Sequence, residues 1–281
     1  MDNALELRNL TKTFGDFTLG PLNLTLPSGC VMGLIGENGA GKSTTMKLIL
    51  DMLHPDTGSV HILGQDNQTG IKALKEDVGV VLDEVGLSQC FTPRQVGKIM
   101  GGTFRNWDDA VYQDYLRRFS LPENKRFKEF SRGMKMKLGI AVALSHHAKL
   151  LLLDEATSGL DPVVRDEVVD LLGEFTRDED HAVLLSSHIV SDLEKICDYI
   201  AFLHRGKLLL CEEKDLLKER YGVLHCTRPA LAELTPSAVV GKRESLYGVE
   251  AIVERAKAPA GLELGPVDIE QLVIVMAKGE L

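Results

Sequence analysis

An apolar run, Val31-Met32-Gly33-Leu34-Ile35, leads directly into Gly36-Glu37-Asn38-Gly39-Ala40-Gly41-Lys42-Ser43-Thr44, and a helical pattern from Thr44 to Leu50 leaves it. No other part of the chain constrains the fold as strongly, because G-x-x-x-x-G-K-[ST] carries chemical meaning only between a strand and a helix. Gly36, Gly39 and Gly41 lack Cβ atoms, so the loop can curl and turn the N–H groups of Glu37, Asn38 and Ala40 toward anionic oxygens. Lys42 offers a point charge for terminal phosphates and Ser43 a hydroxyl for Mg²⁺. At Thr44 the helix begins, and its N-terminus adds a partial positive charge. The segment predicts a site for a nucleoside triphosphate.

Around it the pattern alternates strand and helix. Residues 1–30 hold short alternating runs (Leu5-Glu6-Leu7, Leu22 to Leu26) punctuated by Gly15-Asp16 and Pro27-Ser28-Gly29, which predicts antiparallel strands. Ser59–Leu63 and Val78–Leu82 read as further strands. From Thr92 to His147 the pattern is helical, broken at Leu121-Pro122, with a last helix from about Arg132 to His147. The Trp107/Tyr115/Phe119 stripe reads as the seam of a small helical unit. Strand patterns return at Leu150–Leu153, Val183–Leu185, Tyr199–Leu203 and Lys207–Leu210, with helices at Val163–Arg177 and Ser191–Cys197. Such alternation argues for a mainly parallel sheet. Beyond Tyr221 the tail mixes both patterns, ending in the apolar run Ile269–Met276.

A length of 281 residues suits one large α/β domain with an appendage. The net charge of −9 argues against a nucleic-acid partner. No apolar run approaches the roughly 18 residues of a membrane span, and the acidic start, Met1-Asp2, reads without a leader. Five cysteines stand singly, without a C-x-x-C pair, which points to a reducing compartment. His146-His147 are neighbours about 100° apart on a helix and read as structural rather than chelating. Lys125 to Lys128 read as a solvated face.

About a hundred residues after the phosphate loop, Leu150-Leu151-Leu152-Leu153 ends in Asp154-Glu155. On its own this is an ordinary strand end. Beside bound phosphates, Asp154 can hold Mg²⁺ opposite Ser43, and Glu155 can polarise an attacking water as general base. Ser131 precedes a helix and reads equally as a simple N-cap or as part of a second anion site.

The series Gly36–Thr44, Ser131-Arg132-Gly133-Met134, Asp154-Glu155, Ser158-Gly159-Leu160-Asp161 and Ser186-Ser187-His188 resembles the nucleotide-binding subunit of ATP-binding-cassette (ABC) transporters across residues 4–217. The resemblance implies an α/β P-loop NTPase fold. It would have a mainly parallel core sheet, an N-terminal antiparallel β subdomain, an inserted helical subdomain at about 88–148 and a small α+β extension at 218–281. It implies that ATP and Mg²⁺ are bound, with Phe14 stacked on adenine and Lys42 on the phosphates. Ser131, Arg132, Gly133 and Met134 would touch the γ-phosphate held by a partner subunit. Asp161 would communicate across that dimer, and His188 would bond the γ-phosphate. Unaided, Phe14 reads as core and His188 as structural.

Two positions depart from the family pattern. Asp83 stands where the family usually has Gln, so a metal contact there brings extra negative charge and no hydrogen-bond donor when ionised. Arg132 occupies the usual second glycine of the signature, which resembles the exporter group whose membrane and ATPase parts are separate chains. The implied partners are a second ATPase subunit, identical or related, and a separate integral membrane subunit, placing the chain at the cytoplasmic face of a membrane. Alternatives are an importer subunit, a soluble ABC-type ATPase acting on ribosomes or DNA, and a P-loop kinase. No second phosphate loop or sustained heptads support the soluble reading, and a kinase has no need of the Ser131 and Asp161 motifs.

Overall fold

The computed structural model describes residues 3–83, 85–245 and 248–278, so Met1, Asp2, Glu84, Leu246, Tyr247 and Gly279 to Leu281 lie outside the described residues. The chain opens with two long strands, β1 (Asn3–Phe14) and β2 (Phe17–Pro27), then β3 (Val31–Ile35), which is buried along its whole length. The phosphate-loop segment connects β3 to α1 (Lys42–Ile49), followed by β4 (Thr57–Ile62) and β5 (Gln65–Asp66). The first sheet is antiparallel in the order β2-β1-β4-β5, as the alternating N-terminal pattern predicts.

Helix α2 (Asn67–Asp77) escaped the sequence reading, because its sequence is too polar to show an apolar period. Its start is nonetheless encoded: the Asp66 carboxylate accepts hydrogen bonds from the N–H groups of Gln68 and Thr69. After β6 (Val78–Val81) come the helices α3 (Pro93–Gly101), α4 (Asp109–Arg118) and α5 (Arg132–Leu144). Phe119 is buried between them, while Trp107 and Tyr115 pack partly buried against the same core. Helix α5 ends at Leu144 rather than at His147. The Ser145 hydroxyl turns back to donate to the Ala141 carbonyl at 2.5 Å, and His147 takes a positive φ of 56° that no helix continues.

The remaining elements are β7 (Leu150–Asp154), α6 (Pro162–Phe175), β8 (Ala182–Ser187), α7 (Val190–Ile196), β9 (Tyr199–His204) and β10 (Lys207–Glu213). They complete a six-stranded sheet in the order β10-β9-β3-β8-β7-β6. All neighbours are parallel except β9 and β10. Its central strands are continuous apolar runs because both faces are covered. The chain closes with α8 (Lys214–Arg220), β11 (Tyr221–Cys226), α9 (Arg228–Ala232), β12 (Val239–Ser245), β13 (Gly248–Glu254) and α10 (Ile269–Lys278). These form a three-stranded antiparallel sheet, β11-β13-β12, covered by α10. Ile269, Leu272, Val273 and Val275 of α10 join one apolar core with Val190, Leu193 and Cys197 around α7.

The sheet order decides where chemistry can occur. Strands β3, β8 and β7 are adjacent and parallel, with Ile35 beside Ser187 and Asp154 beside Ser186. Their carboxyl ends therefore deliver Gly36, His188 and Glu155 to one edge, where open α/β sheets bind ligands.

Candidate nucleotide site

That edge carries a cavity of about 500 Å³, in the range of small-molecule sites. The phosphate loop forms one wall. Gly41 sits at φ +113°, and a Cβ there would come within 2.6 Å of Leu19 Cδ1. A Cβ at Gly36 would meet the Leu203 carbonyl oxygen at 2.5 Å. Glycine is thus required at both positions, for conformation at one and for close approach at the other. Helix α1 starts from Gly41 without a side-chain cap and has no acidic residue in its first turn, so its N-terminus is left for an external anion. Glu37, Asn38, Gly39, Ser43 and Thr44 line the cavity. Ala40 is buried beneath it, donating its N–H to the Glu37 carbonyl and accepting from Gly206.

The Lys42 ammonium is only 5% exposed. It donates to the carbonyls of Gly36 at 2.7 Å and Glu37 at 3.3 Å, and lies 3.2 Å from Glu155 Oε1. The other Glu155 oxygen, Oε2, lies 2.7 Å from His188 Nδ1. Lys42, Glu155 and His188, far apart in sequence, thus form one chain of contacts across the cavity floor. Glu155 holds a positive φ of 53°, a strained conformation for a non-glycine residue.

Ser186, which the sequence reading passed over, explains how Glu155 is held. Its fully buried hydroxyl donates to Asp154 Oδ1 at 2.5 Å and accepts the Glu155 N–H at 3.0 Å; the Ser186 carbonyl accepts the same N–H at 3.1 Å. One serine on β8 therefore fixes both carboxylate residues at the end of β7. Nothing in the local sequence marks it except its place two residues before His188.

Three other residues with expected roles have these places in the structure. Phe14 does not line the cavity: it is exposed, with Lys12 Nζ 5.7 Å from its ring centroid, and Phe17 supplies the aromatic wall instead. Both flank the turn of the same hairpin, where Phe14 pairs with Phe17. Asp83 reaches the cavity paired to Arg132 Nη2 at 2.6 Å. Asp161 caps α6, accepting from the N–H groups of Val163 and Val164.

Of the four residues Ser131 to Met134, only Arg132 lines the cavity. The Ser131 hydroxyl is used locally as the cap of α5, accepting the Met134 N–H at 3.3 Å. A Cβ on Gly133 would lie in ordinary contact with Val164 and Leu160, and Met134 packs against the core.

The oxygen donors suit a hard cation such as Mg²⁺: Ser43 and Asp83 line the cavity, and the Asp154 carboxylate, which does not line it, is buried at the end of β7. Among the described residues no group of three or more His, Cys, Asp or Glu could hold a metal ion. A cation would therefore take much of its coordination from phosphate oxygens and water. A separate apolar groove of about 590 Å³ runs between β6 and the helices α3 and α5, lined by Val81, Leu82, Val85, Leu87, Met100 and Phe104 among others. Among the described residues no helix is long and apolar enough to cross a membrane.

The family model for "ABC transporter" matches residues 19–158. The chain is 34% identical over 216 residues to the bacitracin transport ATP-binding protein BcrA of Enterococcus faecalis, covering 74% of this chain and 69% of that one. It is also 34% identical over 214 residues to Nod factor export ATP-binding protein I of Rhizobium sp. (strain N33), covering 73% and 69% respectively. A solved structure described as the ATP binding subunit of an ABC transporter superposes with a TM-score of 0.70 at 26% identity, covering 77% of this chain and 92% of that one.

Proposed function

Since this chain belongs to the ABC transporter family as an ATP-binding, ATP-hydrolysing subunit, we propose that it powers export through a separate membrane subunit. The observation that carries the reading is the contact chain from the phosphate loop through Lys42 and Glu155 to His188 in one cavity. The names of its relatives, one in bacitracin transport and one in Nod factor export, support export over import. An amphipathic or antimicrobial peptide is the cargo class that the first of them favours.

The residues divide the work. Phe17 offers a face to the base. The loop N–H groups and the start of α1 hold the phosphates, and Lys42 neutralises them. Glu155, strained and held by Ser186, orients the attacking water and accepts its proton, while His188 fixes the carboxylate and reaches the terminal phosphate. Mg²⁺, held by Ser43, Asp154 and Asp83 with phosphate oxygens, would supply charge neutralisation on the phosphates.

Two subunits, identical or related, close head-to-tail so that Ser131 and Gly133 of one meet the nucleotide of the other, with Asp161 at the junction. Residues 1–217 form the ATPase unit, with the helical subdomain inserted at about 88–148, and residues 218–281 form the extension. The apolar groove beside β6 receives the membrane subunit, which places the chain at the cytoplasmic face of the membrane. The test is light scattering of Glu155→Gln at saturating ATP, together with capture of the chain from detergent-solubilised membranes. Dimerisation and one integral partner are expected. A variant that stays monomeric refutes the head-to-tail arrangement, and recovery of ribosomes in place of a membrane protein refutes export.

A further inference from the structure

Helix α7 begins two residues after His188, yet little in its own sequence holds it. It spans seven residues, whereas isolated helices shorter than about 12–15 residues are marginal in water. No side chain caps its start. The His188 ring is 42% exposed and meets Glu155 Oε2 at 2.7 Å. Where that ring points is set by the backbone between Ser187, buried at the end of β8, and Val190 at the start of α7.

Three supports come from outside α7. One face lies on β3, so closely that a Cβ on Gly33 would meet Cys197 Sγ at 2.9 Å and Leu193 Cδ1 at 3.2 Å. The end of the helix is held by α8. Lys214 Nζ donates to the Glu194 carbonyl at 2.9 Å, and Lys218 Nζ pairs with the Glu194 carboxylate at 2.6 Å. That carbonyl is one of those a helix end leaves without a partner, and an ammonium there also meets the negative end of the helix dipole.

The third support is α10, which is buried on two sides. Its Val275 packs on β12, leaving no room for a Cβ at Gly241. Val273 lies about 200° round the helix from Val275. It is buried all the same, as is Ile269 one turn before it. The elements packed most extensively on α10 are β12 and α7, so the Val273 face belongs to α7.

We propose that α8 and α10 hold α7 so that His188 meets Glu155, with Lys214 and Val273 as positioning residues for hydrolysis. The closing extension thereby sets a contact on the floor of the nucleotide cavity. This rests on the reading of Glu155 and His188 as the hydrolytic pair.

Phosphate release by the full chain at saturating Mg²⁺-ATP tests it, followed over hours with radiolabelled ATP so that slow variants stay measurable. ATP affinity is measured in parallel by calorimetry. Val273→Ala and Lys214→Met are each expected to slow turnover about tenfold, as small misplacements of a catalytic group do, and to bind ATP as wild type does. Lys214→Arg, which keeps a donor, should turn over as wild type. In a His188→Ala background neither change should slow turnover further, because the contact they serve is already gone. Circular dichroism verifies folding, and if Val273→Ala does not fold, Lys214→Met decides. Wild-type turnover in the folded variants, or the same tenfold loss in the His188→Ala background, overturns the proposal. If His188→Ala is slow while the folded variants are not, the hydrolytic pair stands and only the positioning fails. If His188→Ala hydrolyses ATP as wild type, the reading of the pair fails as well.

Discussion

Replacing Ser186 by alanine removes one oxygen atom from a fully buried side chain, yet both carboxylate residues at the end of β7 bond to it. The Asp154 carboxylate, 5% exposed, loses the hydroxyl that donates to it at 2.5 Å. The Glu155 N–H keeps the Ser186 carbonyl at 3.1 Å but loses the hydroxyl at 3.0 Å. Hydrogen bonds to charged groups contribute about 1.5–3 kcal/mol, so a loss of about 2 kcal/mol is expected, most of it from the stranded carboxylate. For a chain of this size that corresponds to a fall in Tm of about 4–8 °C. Circular dichroism melts without nucleotide measure it, and Asp154→Asn with the double variant completes a cycle. The two changes share one bond, so their effects should fall short of additive by about 1 kcal/mol or more. Phosphate release should fall as well, because Glu155 loses one of two anchors. Additive effects, or a Ser186→Ala loss below about 0.5 kcal/mol, would refute the idea that this hydroxyl holds Asp154.

The glycines of the loop should differ in tolerance. Gly41→Ala meets Leu19 as well as a positive φ, whereas Gly39→Ala, at φ +83°, meets nothing within 4 Å; nucleotide calorimetry should show a loss of tenfold or more for the first and a smaller one for the second, and equal losses would contradict the packing argument. His146, half of the pair read as structural, stacks on Phe104 at 4.0 Å with its Nδ1 2.9 Å from the Glu76 carbonyl, and burial lowers its pKa from 6.5. The unfolded chain then binds more protons below pH 6.5, so stability contributed by neutral His146 is present above that value and is lost as pH falls toward the lowered native pKa. Urea unfolding of wild type and His146→Gln between pH 7.5 and 5 should show a steeper acid loss in the wild type; parallel profiles would contradict the burial argument.

The architecture was legible wherever apolar periodicity and turn chemistry agreed. The parallel strands announced themselves as Val31–Ile35, Leu150–Leu153 and Val183–Leu185, since burial on both faces leaves continuous apolar runs. Helix α2 was not legible because its polar run holds too few apolar residues to show a period, and the Asp66 cap alone does not announce a helix. Residues singled out by backbone demands or by chemistry at a strand end, such as Gly41, Lys42 and Glu155, do line one cavity. The role of Ser186 was not legible, because it arises from the β7–β8 register, which pairs it with Asp154. That Phe17 lines the cavity while Phe14 is exposed across the hairpin turn was not legible, because the sequence does not say which side faces the loop. The Asp83–Arg132 pair was present only as two unrelated departures, and contact across 49 residues joined them.

The most direct test of the central claim is single-site turnover. Phosphate release by purified wild-type chain and by Glu155→Gln should be measured at saturating Mg²⁺-ATP, with ATP affinity measured in parallel. General-base catalysis contributes roughly 10²–10⁴-fold, so turnover should fall at least a hundredfold while ATP binds as well as before. If Glu155→Gln hydrolyses ATP within a few fold of wild type, the carboxylate that Lys42, His188 and Ser186 converge upon does not activate the water, and the site as described is wrong.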